Sequence, residues 1–438
     1  MENKLNGHQE IKNWLHSRAD KTNVKIEPST FSKLNKWQFE KETGDLKHHS
    51  GKFFSIVGIE IKTNWGLVNH WSQPIINQDE IGILGIITKK VNNKLYCLMQ
   101  AKVEPGNINY IQLSPTIQAT KSNYTQVHQG KKPAYLDYFL DPKNSILVDQ
   151  LQSEQGARFI KKRNRNIIIN VVDDVPLHEN YSWMSLEEIV DLLRFNNTVN
   201  MDTRTVISGL LYFNDVTDHS KDKTINSFED IIRWITYLKV NCELEVNQIP
   251  LNRVSNWKKT DEKIYHEDQK YFDVIPVEVT IEGREVTRWS QPMIQAKQEG
   301  ICSFIIKNLN GVYHFLIQGK VECGNFDIVE MAPTVQCLTG NYVDNESEKL
   351  PFLDFVLNAK KEQIVYDVMQ SEEGGRFYKE QNRNLVVQVN EHDLSELPSN
   401  YIWISLHQLQ RFILFNNYIN IQARSLISAF VTREYEFN

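Results

Sequence analysis

Lys102 and Glu104 stand two residues apart in Gln100-Ala101-Lys102-Val103-Glu104. Alternation along an extended strand puts both of them, with Gln100, on one face and Ala101 and Val103 on the other. On a cleft wall, an ammonium beside a carboxylate is a base next to a cation for developing negative charge. On an open surface the same pair is an edge-strand ion pair worth about 0–1 kcal/mol. The segment returns as Gln318, Lys320 and Glu322, which favours the cleft. The Gly-Asn after each copy, Gly106-Asn107 and Gly324-Asn325, reads as a turn that brings backbone close to a ligand.

A second cluster is Ser153-Glu154-Gln155-Gly156-Ala157-Arg158-Phe159, repeated as Ser371-Glu372-Glu373-Gly374-Gly375-Arg376-Phe377. Its glycines, Gly156 and Gly374, permit positive φ and expose amide N–H groups. Its arginine is expected to fork onto phosphate oxygens. Phe159 and Phe377 are either base-stacking rings or plain core. Arg163, Arg165 and Asn166, with Arg383 and Asn384 in the second copy, extend a possible anion site; the bland alternative for this basic run is a solvated loop. The cluster is neither a Walker A loop nor a dinucleotide fingerprint. Gln118 and Gln336 end Pro-Thr-x-Gln segments, and Tyr124 and Tyr342 follow in Asn-Tyr pairs; these suit a sugar pocket or a structural turn. His128 has no counterpart in the second copy. No Ser/His/Asp set and no metal-type cluster of His and Cys stands out.

The whole chain must position these groups twice. Trp71-Ser72-Gln73-Pro74 returns as Trp289-Ser290-Gln291-Pro292, and most motifs recur at an offset of 218 residues. The 438 residues therefore divide into repeats at 1–218 and 219–438, with a polar junction near Asp215–Asp222. Shared polar residues, beyond a shared apolar pattern, suggest a duplicated site. Helical patterns open each copy at Ile11–Arg18 and Ile231–Val240. Strand patterns follow at Phe53–Ile61 and Tyr271–Ile281. Hairpins are expected at Gly82–Val91 with Lys94–Val103 and at Gly300–Leu309 with Val312–Val321; the second turns on Asn310-Gly311. Short apolar strands at Ile167–Val172 and Leu385–Val389 precede capping boxes at Ser185 with Glu188 and Ser405 with Gln408. Strands followed by helices imply an α+β fold with a mixed or antiparallel sheet and flanking helices in each repeat. Net charge of −6 gives no reason to expect nucleic acid. Five unclustered cysteines, no apolar leader and no membrane-length apolar run point to a cytoplasmic protein off the membrane.

With these residues in view, the chain resembles the NDP-hexose 2,3-dehydratase family along nearly its full length. The carriers include Trp71–Ile75, Ala101–Asn107, Gln112–Thr120, Ser122–Tyr124, Gln152–Gly156, Arg163–Asn166, Val199–Val206, Ala332–Cys337 and Ser371–Phe377. The resemblance implies two Nudix-like α/β halves, a homodimer, and a dTDP-4-keto-6-deoxyglucose substrate. It implies a lyase that removes the C3 proton and expels the C2 hydroxyl without a redox cofactor or metal; a 3-ketoreductase would consume the diketo product. Within that frame Glu104 is expected as base, Lys102 as the cation at the enolate oxygen, and Tyr124 or His128 as acid. Arg158, Arg163 and Arg165 are expected to hold the diphosphate. Trp71, Gln73, Gln100, Asn107, Gln118, Ser153, Glu154, Gly156, Asn166 and Arg204 complete the binding set. Trp289, Gln291, Lys320, Glu322, Asn325, Tyr342, Ser371, Gly374, Arg376 and Arg383 would form a second nucleotide pocket, with the first copy catalytic. The alternatives are a non-catalytic dTDP-sugar binding protein and a Nudix-type diphosphatase. The latter lacks the Arg-Glu upstream part of the Nudix box.

Overall fold

The computed structural model describes residues 4–121, 132–140, 145–213, 224–282, 287–309, 311–339 and 350–431. Each repeat contributes a seven-stranded mixed sheet. In the first, Ser145–Ser153, Arg163–Asn170, Gly82–Val91, Lys94–Val103 and Tyr181–Ser185 lie side by side, and Ile111–Ser114 and Ile117–Ala119 pair onto the central hairpin. Arg163–Asn170 runs parallel to Gly82–Val91 and the other pairings are antiparallel. The second repeat has the same arrangement around Gly300–Leu309 and Val312–Val321. The fold is α+β with a mixed sheet in each half. Both hairpins occupy the expected residues, and Asn92 and Asn93 take the positive φ that the first turn requires. Both capping boxes form, with Ser185 accepting from the Glu188 N–H and Ser405 from the Gln408 N–H.

The halves are not separate bodies. Val24–Pro28, from the first repeat, pairs antiparallel with Phe272–Ile281 of the second. In return Leu244–Ile249 pairs with Ser55–Thr63 of the first. Each smaller sheet is thus completed by a strand from the other half. Trp37 Nε1 donates to the Ser290 carbonyl at 2.9 Å and Trp257 Nε1 to the Ser72 carbonyl at 3.2 Å. A single apolar cluster runs through both large sheets and the late helices, from Ile86 and Met99 to Phe304, Ile317 and Phe430. Burying one continuous core across the duplication removes the apolar faces that two isolated halves would leave in water. Among the described residues no helix is long and apolar enough to cross a membrane.

Candidate active site

The strand Lys94–Val103 ends in the frame that the sequence singled out. Lys102 Nζ lies 3.4 Å from Glu104 Oε1 and donates to Gln118 Oε1 at 2.6 Å. Gln118 arrives on Ile117–Ala119 and donates back to Glu104 Oε1 at 3.2 Å. Glu104 Oε2 accepts from Asn107 Nδ2 at 3.4 Å and from Asn200 Nδ2 at 3.2 Å. Asn200 is aimed by a second duty: it caps the helix Met201–Ile207, its Oδ1 accepting from the Thr203 N–H, which leaves its amide nitrogen to donate to Glu104. Glu104 is only 5% exposed. Gln100 lies one step back on the same strand, paired with Ser114 and Tyr181.

The second repeat builds the same frame. Gln336 Nε2 donates to Glu322 Oε1 at 2.9 Å, Asn420 Nδ2 to Gln336 Oε1 at 2.7 Å, and Lys320 Nζ to the Gln336 carbonyl at 3.3 Å. Asn420 caps Ile421–Ile427 as Asn200 caps its helix. Burial pushes the Glu322 carboxyl up, against the pull of Lys320 and Arg158.

Each frame is closed by the other half. The Gly106 N–H donates to the Gly374 carbonyl and the Lys379 N–H to the Gly106 carbonyl, both at 2.7 Å. Gly324 makes the equivalent bonds with Gly156 and Lys161, again at 2.7 Å. A Cβ on Gly106 would fall on the Phe377 carbonyl, and one on Gly324 on the Phe159 carbonyl. Gly156 and Gly374 are packed against the side chains of Asn325 and Asn107, and neither has positive φ. Two expectations are therefore corrected. The Gly-Asn turns approach backbone of the opposite half rather than a ligand, and the loop glycines serve space rather than left-handed geometry. Phe159 and Phe377 are buried and meet edge-on at 5.9 Å, so they are core.

This exchange also reassigns the arginines. Arg376 lies over the Phe54 ring at 4.1 Å and donates to Gln78 Oε1 at 3.3 and 3.2 Å, which brings it to the first pocket. Arg158 lies over the Phe272 ring at 4.3 Å, and its charge acts on Glu322 in the second. Arg163 stacks on Phe326 at 3.7 Å, also on the second repeat. Grouping Arg158 and Arg163 with Glu104 was thus wrong about the half they serve. Arg165 forks onto Asp149 across the strand pair at 2.7 and 2.6 Å, and Arg383 onto Asp367 at 2.8 and 2.6 Å; these are cross-strand ion pairs, which leaves the expected diphosphate contact without geometric support. Arg204 is buried among Ser425 Oγ, Gln370 Oε1 and the Val199 and Ser371 carbonyls, where it ties the halves together. Its equivalent, Arg424, donates to the Ser153 carbonyl at 2.5 Å.

Other expected contacts share that structural duty. Trp71 Nε1 donates to Gln73 Oε1 and Gln73 Nε2 to the Ala157 carbonyl; Trp289, Gln291 and the Gly375 carbonyl repeat this. Ser153 Oγ donates to Glu330 at 2.6 Å and Ser371 Oγ to Gln112 at 2.9 Å, each across the halves. Asn166 is buried in its strand, and Glu154 is held by Asn164 at 2.6 Å, its carboxyl raised by burial and by Glu373. Asn325 is buried with both amide atoms unpartnered. Tyr124, His128 and Tyr342 lie outside the described residues.

The pockets differ where the sequence reading was not looking. Asp202, first-turn residue of the helix that Asn200 caps, is 4% exposed and accepts from Gln118 Nε2, the same nitrogen that serves Glu104. Burial, then the Glu104, Glu373 and Glu154 carboxylates, hold its carboxyl well above the usual range, with Lys102 opposing. Its counterpart is Gln422, which donates to Glu372 at 2.8 Å. Glu373 enters the first pocket from the second repeat. Burial raises its carboxyl against the pull of Arg376, and Glu104 adds to the rise. Its counterpart is Gln155, which also donates to Glu372, at 2.7 Å. At these two positions the first pocket places carboxyls held toward their neutral form where the second has amides, although burial also raises Glu322 and Glu380 in the second half. The available signal was the carboxylate-to-amide mismatch between copies.

The NDP-hexose 2,3-dehydratase family model matches twice, at residues 8–210 and 228–430. Three relatives are each named dTDP-4-dehydro-6-deoxy-alpha-D-glucopyranose 2,3-dehydratase. The protein from Saccharopolyspora spinosa is 42% identical over 95% of this chain and 90% of its own length. Those from Streptomyces violaceoruber and Amycolatopsis orientalis are each 40% identical, covering 95% and 96% of this chain and 95% and 89% of their own. Two matches that span both repeats, around two copies of one Lys–Glu–Gln–Asn frame, place the chain in the NDP-hexose 2,3-dehydratase family.

Proposed function

We propose that this protein dehydrates dTDP-4-keto-6-deoxyglucose across C2 and C3, and that the reaction takes place in the pocket of Lys102 and Glu104. The observation that carries the choice of pocket is the placing of Asp202 and Glu373 around that frame, where the second pocket has Gln422 and Gln155. The C4 ketone acidifies the C3 proton. Glu104 takes that proton, and Lys102 faces the oxygen on which enolate charge develops. The C3–H electron pair becomes the enolate, and its return to the ketone expels the C2 hydroxyl with one added proton, as water. The resulting enol tautomerises to a 3,4-diketo-2,6-dideoxy sugar.

The same reading extends to the protein's setting. The halves, 1–218 and 219–438, are units of duplication with a Nudix-like layout, supported by the mixed sheet and late helices of each. A homodimer in the cytoplasm, working beside a 3-ketoreductase, suits a labile diketone product. Incubation with dTDP-4-keto-6-deoxyglucose, a 3-ketoreductase and NADPH should yield a dTDP-sugar that has lost one water and gained two hydrogens. Bound dTDP with unchanged substrate would favour a binding protein, and Mg²⁺-dependent release of dTMP a diphosphatase.

A further inference from the structure

Expulsion of hydroxide needs a proton donor, and the two side chains expected for that role, Tyr124 and His128, lie outside the described residues. We propose that Asp202 is the acid that protonates the C2 hydroxyl as it leaves. The inference rests on the dehydratase reading and deepens it.

One amide nitrogen, Gln118 Nε2, donates to Glu104 Oε1 and to Asp202 Oδ2. The two carboxyl groups therefore face each other within the span of a single NH₂. Carboxylates that close, out of water, do not both stay ionised, and the pair holds one proton between them. The surroundings decide which keeps it. Glu104 has Lys102 at 3.4 Å and accepts from Asn107, Asn200 and Gln118. Asp202 is as deeply buried, with Lys102 the cation acting on it and Glu104, Glu373 and Glu154 arrayed against its ionisation. The proton resides on Asp202. One carboxyl of the pair is thus a base and its neighbour an acid, on the two sides of an elimination that moves one proton off C3 and one onto the C2 oxygen.

The second pocket is a natural control. It keeps Lys320, Glu322, Gln336 and Asn420 but has Gln422 where Asp202 stands, and a glutamine side chain has no proton to give to a leaving hydroxide. After elimination the acid is left ionised and the base protonated, and exchange with water resets both.

The test uses the full-length protein with Asp202→Asn, and with Asp202→Gln, which copies the second pocket. Dehydration should fall about 10²- to 10⁴-fold, the usual worth of a positioned acid. Two activities should survive in both variants. In D₂O the recovered substrate should carry deuterium at C3, because Glu104 still removes that proton. The 2-deoxy-2-fluoro analogue should still release fluoride, which leaves without protonation. Glu104→Gln should show neither. Dehydration by Asp202→Asn at the wild-type rate, or loss of both C3 exchange and fluoride release together with dehydration, would overturn the assignment. Wild-type protein that fails to dehydrate dTDP-4-keto-6-deoxyglucose would instead overturn the dehydratase reading beneath it.

Discussion

Lys102, Glu104, Gln118 and Asn200 in the first pocket correspond one for one with Lys320, Glu322, Gln336 and Asn420 in the second. The glutamine-to-glutamate bond and the helix caps that hold the asparagines are the same, whereas Asn200 reaches Glu104 where Asn420 reaches Gln336, and Lys102 bonds the Gln118 side chain where Lys320 bonds the Gln336 carbonyl. Charge differs at several buried places: Asp202 against Gln422, Glu373 against Gln155, Gln112 against Glu330 and Lys162 against Glu380. The residues two copies share are the ones that hold the frame and bolt the halves together. On the proposed reading, Asp202 and Glu373 are where acid–base chemistry is kept on one side.

That division predicts symmetric effects for the bolts and asymmetric effects for the chemistry. The largest symmetric effect should come from Gly106→Ala and Gly324→Ala. Each Cβ would collide with a carbonyl of the opposite half. Each substitution should cost about 3–5 kcal/mol or abolish folding, since rigid backbone offers no cheap relaxation. Denaturant unfolding of both variants checks this; a loss at Gly106 alone would mean the halves are not equivalent struts.

Glu330→Gln should sharpen the comparison by making the second half resemble the first, where Gln112 occupies the same place. Glu330 is fully buried, its Oε1 has no hydrogen-bond partner, and burial pushes its carboxyl from 4.5 up to about 8. The folded protein therefore keeps a proton that the unfolded chain loses between those values, and stability falls as pH rises through that window. The substitution should flatten this part of the decline and add on the order of 2 kcal/mol near pH 8. Thermal melts from pH 5 to 8 measure it, and a slope that stays the same would show that Glu330 does not titrate there.

The smallest effect is expected at Arg165→Ala and Arg383→Ala. Each breaks a cross-strand pair with an aspartate that is about a third exposed. Each should cost about 0–1 kcal/mol and leave KM within about two-fold. A tenfold rise in KM for Arg165→Ala would return that arginine to the diphosphate.

Much of the fold was legible because it rests on local rules. The hairpins at 82–103 and 300–321, the capping boxes at Ser185 and Ser405, and the late helices follow from turn chemistry and periodicity. The exchange of Val24–Pro28 and Leu244–Ile249 between halves was not legible, because a strand's pattern does not say which sheet edge it joins. The same gap misplaced Arg158 and turned Ser153–Phe159 into an expected phosphate loop. Lys102, Glu104 and Gln118 stand out because they repeat. Asp202 and Glu373 were missed for the complementary reason: a search for identity passes over positions where the copies disagree.

The account turns on the first pocket being the reacting one. Glu104→Gln and Glu322→Gln are matched substitutions in matched frames, and their turnover of dTDP-4-keto-6-deoxyglucose, read with reductive trapping, compares the pockets directly. The account predicts that Glu104→Gln loses at least about 10²-fold in kcat while Glu322→Gln stays within a few-fold of wild type. Equal losses, or a loss confined to Glu322→Gln, would contradict it.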